Sequence, residues 1–383
     1  MADNEQLLNK PKKEINYQFK VMYAIGILNV LFSHAQAESL AFWNETIHYA
    51  GYTIALFVFV SGYFYSRKSE TNIPGYILKK VTRLLVPLYL WNCFYALLIL
   101  AFSKIGFSLG QPVNLKSLTL APMISAHLLG FNDPAWFVIP LFVTEVYNIL
   151  VRKLLSRFNE KRVDFALLAF HFLIGFAGVA LALNEKNTLW WLFLTRFMYF
   201  IPFYTLGYVY KVYLEKKDTL SSFWYFAIII FIDILIIIAY GHASLYSIVI
   251  MDEHYFENPF MPYFVGILGI AFCLRASRIL NVVIGKSKYL NLVADNTFPI
   301  MMNHIFGFFV LKCLFMAATK VLPMLPEFPV EEFKNNLSYI YLPRGRGFPL
   351  LYIFFGCLIP ILMQKIVVLI KTWAMKKIAA KGE

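Results

Sequence analysis

Charged residues are scarce in this 383-residue chain, at 15% of the total, whereas hydrophobic residues make up 60% and the mean hydropathy is +0.62. This composition excludes a disordered chain and an ordinary water-soluble domain, and indicates a polytopic membrane protein. No tandem repeat, low-complexity tract or soluble domain is visible, so we expect a single membrane domain over residues 1–383. Cysteine is also scarce, and its four positions lack metal-ligand spacing and a disulfide pattern, which favours packing roles: Cys93, Cys273, Cys313 and Cys357.

Long apolar runs follow one another along almost the whole chain. A membrane-spanning helix needs about 20 mostly apolar residues. The sequence therefore predicts an all-α membrane bundle of about ten spans, at 15–34, 49–65, 84–102, 136–151, 164–183, 189–210, 223–240, 259–274, 298–318 and 349–370.

Acidic residues are the scarcer charge, with 22 of them against 35 basic residues. Most basic residues lie near the two termini and in alternate loops, beginning at Arg67, Arg152, Lys211 and Arg275. Loops rich in Lys and Arg stay on the cytoplasmic side, so both termini are predicted to be cytoplasmic. Because the net charge of +13 is spread over membrane-flanking loops rather than along one face, we expect the lipid bilayer and no nucleic acid as a partner.

The N-terminus has a second interpretation. Basic residues at 10–13, the apolar run 15–33 and the small residues around 35–37 are arranged like a secretory signal with a cleavage site. The apolar run is longer than the ~7–15 residues of a signal core. This favours an uncleaved first span.

His34 ends that first span. An ionisable side chain at membrane depth is a functional-site hypothesis by default, and the alternative is a core histidine bonded to a neighbouring carbonyl. Lys20 and Tyr23 lie 14 and 11 residues earlier. At 3.6 residues per turn they share the face of His34, so a polar stripe runs from a cationic inner end to the imidazole.

A cluster of basic residues precedes the third span. Arg67, Lys79, Lys80 and Arg83 lie within 17 residues of one another. Arg and Lys are the side chains that hold phosphates, so the cluster predicts a phosphate-binding site. The alternative is that it only marks the cytoplasmic side.

The order of several short motifs carries a family resemblance. His34 at the end of span one is followed by motifs in spans two, three, four, six and nine, and the chain resembles in this order the acyltransferase-3 family of integral-membrane O-acyltransferases. The motifs are Ser61-Gly62-Tyr63, Lys80-x-x-Arg83-Leu84-Leu85-x-Pro87, Ala135-Trp136-Phe137-Val138-Ile139-Pro140-Leu141-Phe142, Phe203-Tyr204-Thr205-Leu206-Gly207-Tyr208 and Asn296-Thr297-Phe298-Pro299-Ile300-Met301-Met302-Asn303-His304.

The resemblance implies a ten-span protein of the bacterial cytoplasmic membrane. Members of the family move an acyl group, usually acetyl from acetyl-CoA, onto sugars of surface glycans. His34 would be the catalytic histidine, and Lys80 and Arg83 the basic pair linked to the donor. Two positions depart from the family: Tyr23 stands where the family usually has Arg, and Lys80 replaces the first Arg of its Arg-x-x-Arg motif.

Acyl transfer from a thioester needs a base for the incoming hydroxyl and stabilisation of an oxyanion. A neutral imidazole with its reference pKa of about 6.5 suits the base, so we expect His34 in that role. Glu38, four residues on, is predicted to orient the ring, the alternative being an ordinary exposed loop carboxylate. We expect acetyl-CoA as acyl donor, no metal, and these donor-binding residues: Lys20, Arg67, Lys79, Lys80 and Arg83.

Polar and aromatic residues inside spans complete the predicted site, because buried charges in lipid normally face the bundle interior. For Glu145 and Arg196 the alternative is a structural ion pair, and for Trp136 an aromatic belt at the membrane surface. The predicted substrate-binding residues are Ser61, Tyr63, Trp136, Glu145, Arg196, Asn303 and His304.

Two functional classes remain open. The first is an O-acetyltransferase that modifies a cell-surface polysaccharide or its lipid-linked precursor. The second is a transporter or flippase for a glycan or lipid-linked intermediate, for which ten spans and buried charges are equally natural. The ordered motifs, and the lack of visible paired halves, favour the enzyme.

Overall fold

The computed structural model describes residues 15–35, 52–124, 128–184, 186, 188–240, 258–323, 325–343 and 348–379, which form helices and no strand. The long helices and their main connections are α1 Tyr17–His34, α2 Thr53–Tyr63, α3 Ile73–Lys80, α4 Val86–Ser103, α5 Val138–Leu154, α6 Glu160–Leu183, α7 Leu189–Val209, α8 Ser222–Tyr240, α9 Met261–Ile284, α10 Lys288–Asp295, α11 Thr297–Ala318 and α12 Phe348–Ala379.

Each predicted span overlaps one helix, so the all-helical membrane bundle is confirmed. Seven helical stretches of the described residues are long and apolar enough to cross a membrane, and α1 and α7 are not among them. Helix α2, with 11 residues, is a shorter apolar helix. The count of ten and the cytoplasmic placement of both termini therefore stay predictions.

The helix of the third span, which carries Lys79, Lys80 and Arg83, begins earlier than predicted. One helical stretch runs over Ile73–Ser103, in which a π-helical turn, Val81–Leu85, joins α3 to α4. Pro87 lacks an amide hydrogen and its ring would clash with the carbonyl of Arg83 in a regular α-helix. The wider π turn directly before Pro87 relieves that clash, so Lys79, Lys80 and Arg83 lie on a continuous helix instead of in a loop.

Helices α2 and α7 cross with their backbones in direct contact. A Cβ atom at Gly62 would overlap the carbonyl of Tyr204, and one at Gly207 would overlap the carbonyl of Phe59. Small residues permit such approaches between membrane helices. The Ser-Gly-Tyr motif of α2 and the Tyr-Thr-Leu-Gly-Tyr motif of α7 are therefore two halves of one packing contact.

A buried carboxylate fastens the ends of several helices. Asp164 of α6 is fully buried, and its Oδ1 pairs with Arg152 of α5 and, at 2.9 Å, with Arg67. Its Oδ2 accepts a hydrogen bond of 2.8 Å from Tyr213, just after α7. Both oxygens of the carboxylate are satisfied, as a buried charge requires.

The connection between the third and fourth predicted spans turns back into the bundle. Its 3₁₀ helix Gly130–Phe137 packs against α11, and the Phe131 ring lies 5.3 Å from that of Tyr95. The Asn132 amide donates to the Leu88 carbonyl at 3.4 Å, and Leu88 lies 15 residues, about 22 Å of helix, before the end of α4. Irregular backbone at that depth is tolerated because protein surrounds it.

Candidate functional site

Two histidines separated by 270 positions meet between α1 and α11. The rings of His34 and His304 have centroids 5.0 Å apart and planes inclined by 47°. His34, the last residue of α1, is exposed, whereas His304 is 0% exposed. The packing of α1 against α11 thus joins the predicted catalytic histidine to a residue predicted to bind substrate.

The hydrogen bonds of His304 define its protonation. Its Nδ1 atom lies 3.1 Å from the carbonyl oxygens of both Ile300 and Met301. A carbonyl only accepts, so Nδ1 carries the hydrogen and Nε2 is left with a lone pair. Among the described residues, this buried Nε2 atom has no hydrogen-bond partner. The site therefore contains a fixed acceptor without a donor in the part of the chain that the structure describes.

Asn303 holds the helix that carries His304. Its Oδ1 accepts a hydrogen bond of 2.6 Å from the Tyr95 hydroxyl of α4, and its Nδ2 donates to the Pro299 carbonyl at 2.9 Å. Tyr95 and Asn303 are both fully buried. The bond to Tyr95 fixes α11 relative to α4, so the structure gives Asn303, predicted to bind substrate, a holding role. Tyr95 was not foreseen, because a tyrosine in an aromatic-rich span gives no distinguishing signal.

Glu145 pairs with the basic cluster. Its Oε1 lies 2.5 Å from Nζ of Lys80, and the carboxylate side chain is 2% exposed. Its Oε2 is buried without a hydrogen-bond partner in the described part of the chain. Among the ion pairs of the described residues, Glu145 is joined to Lys80 and not to Arg196, whose guanidinium lies over the Trp136 ring at 4.0 Å. A lysine 65 residues away in sequence could not be identified as the partner from local spacing.

Lys79 and Arg83, the basic residues next to Lys80 on the same helical stretch, are exposed. The Lys79 and Arg83 side chains lie on α3 and the π turn. Neither has a hydrogen-bond or ion-pair partner within the described ranges. They are the cations of this cluster that a phosphate can reach without displacing a carboxylate.

Two predicted donor-binding residues are already engaged. Lys20 lies 2.9 Å from Asp295, at the opposite end of α1 from His34. Arg67 pairs with Glu160 and Asp164, each at 2.9 Å, and donates to the Tyr208 hydroxyl at 2.8 Å. Burial lowers the pKa of Arg67, but the hydrogen bond to Tyr208 and the charge of Asp164 outweigh it and keep the pKa above its usual value.

The remaining residues of the second span make structural contacts. The Ser61 hydroxyl donates to the carbonyl of Phe57 in its own helix at 2.9 Å. The Tyr63 hydroxyl donates to Glu215 at 2.9 Å, and its ring stacks on Phe19 at 3.9 Å. Glu38, the residue predicted to orient His34, lies outside the described residues.

Tyr23, where the family usually has Arg, connects the two parts of the site. It is close enough to Glu145 for the carboxylate charge to act on it, and it lies on the face of α1 that also carries His34. The rise from Tyr23 to His34 is about 16 Å. The Lys80–Glu145 pair therefore acts on α1 at the level of Tyr23, and the histidine pair lies at the end of the same helix.

A buried lysine was missed by sequence reasoning. Lys312 of α11 is 1% exposed, and its Nζ donates to the carbonyls of Leu337 at 2.6 Å and Tyr339 at 2.9 Å. A lysine within the apolar run 298–318 was the available signal. It anchors the connection between α11 and α12 rather than a substrate.

Comparison with known proteins gives one match. A family model described as an acyltransferase domain matches residues 16–359, nearly the whole chain. No curated protein and no solved structure matches at a significant level. Within the described residues no group of three or more His, Cys, Asp or Glu side chains is arranged to hold a metal ion.

Proposed function

This chain belongs to the acyltransferase-3 family, and we propose that it transfers acetyl from acetyl-CoA to a sugar hydroxyl of a cell-surface polysaccharide or its lipid-linked precursor. The family makes it a multi-pass membrane acyltransferase, which favours the enzyme over the transporter. The proposed location is the bacterial cytoplasmic membrane. The observation that carries the proposal is the accessible His34 ring beside the buried His304 ring.

Because a thioester is already activated, acyl transfer needs only a base for the hydroxyl and a group that stabilises the oxyanion. A nitrogen of neutral His34 takes the proton of the sugar hydroxyl, and the oxygen attacks the acetyl carbonyl carbon. The tetrahedral oxyanion then collapses, the carbon–sulfur bond breaks, and the thiolate of coenzyme A takes the proton from His34. The products are an acetyl ester and free coenzyme A.

The basic end of the site supports a phosphate-bearing donor. Lys79 and Arg83 are exposed beside Lys80 on one helix, and guanidinium and ammonium groups bind phosphate through charge-assisted hydrogen bonds. From the level of Tyr23, next to the Lys80–Glu145 pair, α1 rises about 16 Å to His34. The long, thin pantetheine arm of coenzyme A is suited to follow such a path, which makes direct transfer the proposed route.

The acceptor is proposed to approach along the segment Gly130–Phe137. This segment packs on α11, the helix of His304, and it carries Trp136 under the guanidinium of Arg196. An aromatic ring with a cation beside it offers a sugar both an apolar face and a hydrogen-bond donor. Trp136 and Arg196 are the residues we expect to contact the acceptor.

The test is transfer of radiolabelled acetyl from acetyl-CoA to glycan in membranes that contain the protein. His34→Ala is compared with the wild type and with Ser33→Ala, a neighbouring substitution, at equal abundance. We expect label with the wild type and Ser33→Ala and none with His34→Ala. Label with all three would remove His34 from the chemistry, and failure of acetyl-CoA to label any glycan, with active acylation from another donor, would refute the proposed donor.

A further inference from the structure

We propose that His304 positions His34, accepting a hydrogen bond from the His34 ring through its Nε2 atom, so that the two histidines work as a pair. The inference rests on the proposed function for its catalytic consequence. His304 is a positioning residue in this scheme, since it acts through His34 and does not touch the substrate.

The first support is the fixed state of His304. The carbonyls of Ile300 and Met301 both lie 3.1 Å from Nδ1 and hold its hydrogen there. Nε2 is therefore an acceptor that cannot become a donor unless a second proton is added. Because carbonyls of its own helix hold the His304 ring through Nδ1, the direction in which the Nε2 lone pair points is also fixed.

The second support is that this acceptor is buried and unused. Nε2 has no hydrogen-bond partner among the described residues, although His304 is fully buried. Buried polar atoms are nearly always hydrogen-bonded, and each exception calls for an explanation. An unfilled acceptor beside a proposed catalytic base is explained if that base supplies the donor during the reaction.

The third support is the set of aromatic rings that contact His304. The rings in contact with His304 are those of His34, at 5.0 Å between centroids, and Phe308, at 5.6 Å. Only the first can donate a hydrogen bond. The proposed hydrogen bond needs the His34 side chain to turn about its torsions until ring nitrogens lie ~2.7–3.2 Å apart, and His34 lies at the end of α1, where its side chain is exposed.

The pair gives His34 a defined tautomer. When one ring nitrogen donates to His304 Nε2, the other is left unprotonated and faces the sugar hydroxyl. After His34 has taken the hydroxyl proton, the imidazolium keeps its second N–H on His304, and the new proton goes on to the departing thiolate. His304 stays neutral throughout and keeps its Nδ1 hydrogen on the backbone.

Two substitutions separate this role from a structural one. His304→Asn retains a polar group near the position of Nδ1 but none near Nε2, whereas His304→Gln places an amide oxygen near Nε2. We expect His304→Asn to lower kcat about 10–100-fold, as for other groups that orient a ring nitrogen, with the KM for acetyl-CoA unchanged. We expect His304→Gln to recover most of the loss. If Asn is tolerated and Gln is not, the backbone contact alone matters and the proposal is overturned.

A second readout does not depend on acyl transfer. Diethyl pyrocarbonate modifies neutral imidazole nitrogens, and mass spectrometry reports the rate at His34 in the purified full-length protein. A hydrogen bond to Nε2 of His304 makes the opposite nitrogen of His34 more nucleophilic. We expect His304→Asn to slow the modification several-fold and His304→Gln to restore it.

Acyl-transfer kinetics and the modification rate together distinguish failure of the histidine pair from failure of the proposed function. An unchanged modification rate in His304→Asn, with an unchanged thermal midpoint to show that the variant is folded, would refute the pair. A slowed rate in a protein whose wild type does not use acetyl-CoA would keep the pair and refute the proposed function.

Discussion

Two buried polar regions of this bundle differ in how their hydrogen-bonding groups are satisfied. Asp164 has both carboxylate oxygens bonded, by Arg67, Arg152 and Tyr213. His304 has one ring nitrogen bonded to backbone and the other, equally buried, bonded to nothing in the described chain. A carboxylate with both oxygens bonded holds helices together, whereas a buried acceptor without a partner has capacity left for chemistry. We therefore expect the contacts of Asp164 to be structural, and the histidine pair stays the proposed functional centre.

The largest expected effect is a loss of stability when the buried carboxylate of Asp164 is replaced. Asp164→Asn removes the charge that compensates two arginines, and we expect a loss of about 3–5 kcal/mol of unfolding free energy, as when one partner of a buried ion pair is removed. Thermal unfolding in detergent measures this. Glu160→Gln is the matched control, because Glu160 pairs with the same Arg67 but is 68% exposed, and exposed pairs contribute about 0–1 kcal/mol. Equal effects of the two substitutions would contradict the structural assignment.

The Lys80–Glu145 pair lies between these two cases, because one oxygen of Glu145 is bonded and the other has no partner among the described residues. We expect Lys80→Met to destabilise the fold, since it leaves a 2% exposed carboxylate without its cation. A double-mutant cycle with Glu145→Gln should give a coupling energy of about 1–3 kcal/mol. A coupling near zero would show that the pair does not hold α3 to α5 and that Lys80 is available to the donor.

Arg83 tests whether an exposed, unpaired cation of the described residues binds the donor rather than stabilising the fold. Its side chain is exposed and has no partner in the described ranges, so Arg83→Ala should leave the thermal midpoint unchanged. If it binds a phosphate of the donor, the KM for acetyl-CoA should rise about 10-fold, which corresponds to the ~1.5 kcal/mol of one charge-assisted hydrogen bond. Arg157→Ala, another exposed arginine of a basic loop, is the control. Equal KM values for the two variants would refute the donor site at Arg83.

Ser61 gives the smallest expected effect. Its hydroxyl bonds to the Phe57 carbonyl within the same helix, so Ser61→Ala should change stability by less than about 0.5 kcal/mol and leave transfer intact. Steady-state rates and a melting curve check both. A large loss of activity with unchanged stability would restore Ser61 to the substrate site.

The sequence allowed the helices to be predicted better than their contacts. Apolar runs located a helix in every predicted span, because burial in lipid depends on local composition. The return of Gly130–Phe137 into the bundle was not predicted, since a short segment with Pro134 and Trp136 has the composition of an outer loop. Its burial depends on the rings of α4 and α11 that surround it.

The candidate site was predicted in part. His34 and His304 were both named, but their contact joins residues 270 positions apart and no local pattern encodes it. For Glu145, a structural pair with Arg196 was the alternative to substrate binding, and the residue pairs with Lys80, because the choice between two cations depends on how α5 is rotated against α3 and α7. Charge and hydropathy locate polar residues on helices, and helix packing decides which of them meet.

The ring cluster around Phe131 bears on the electrical insulation of the membrane. Phe131 packs against Tyr95, Phe306 and Phe309, with centroids 5.2–5.6 Å apart. Apolar constrictions exclude water and thereby block ions. Under the proposed function, a bundle that brings a charged donor and a sugar to one reaction centre needs such a seal, because a water-filled channel through it would dissipate the transmembrane voltage. We therefore expect the segment that carries Trp136 also to help keep the membrane impermeable to ions.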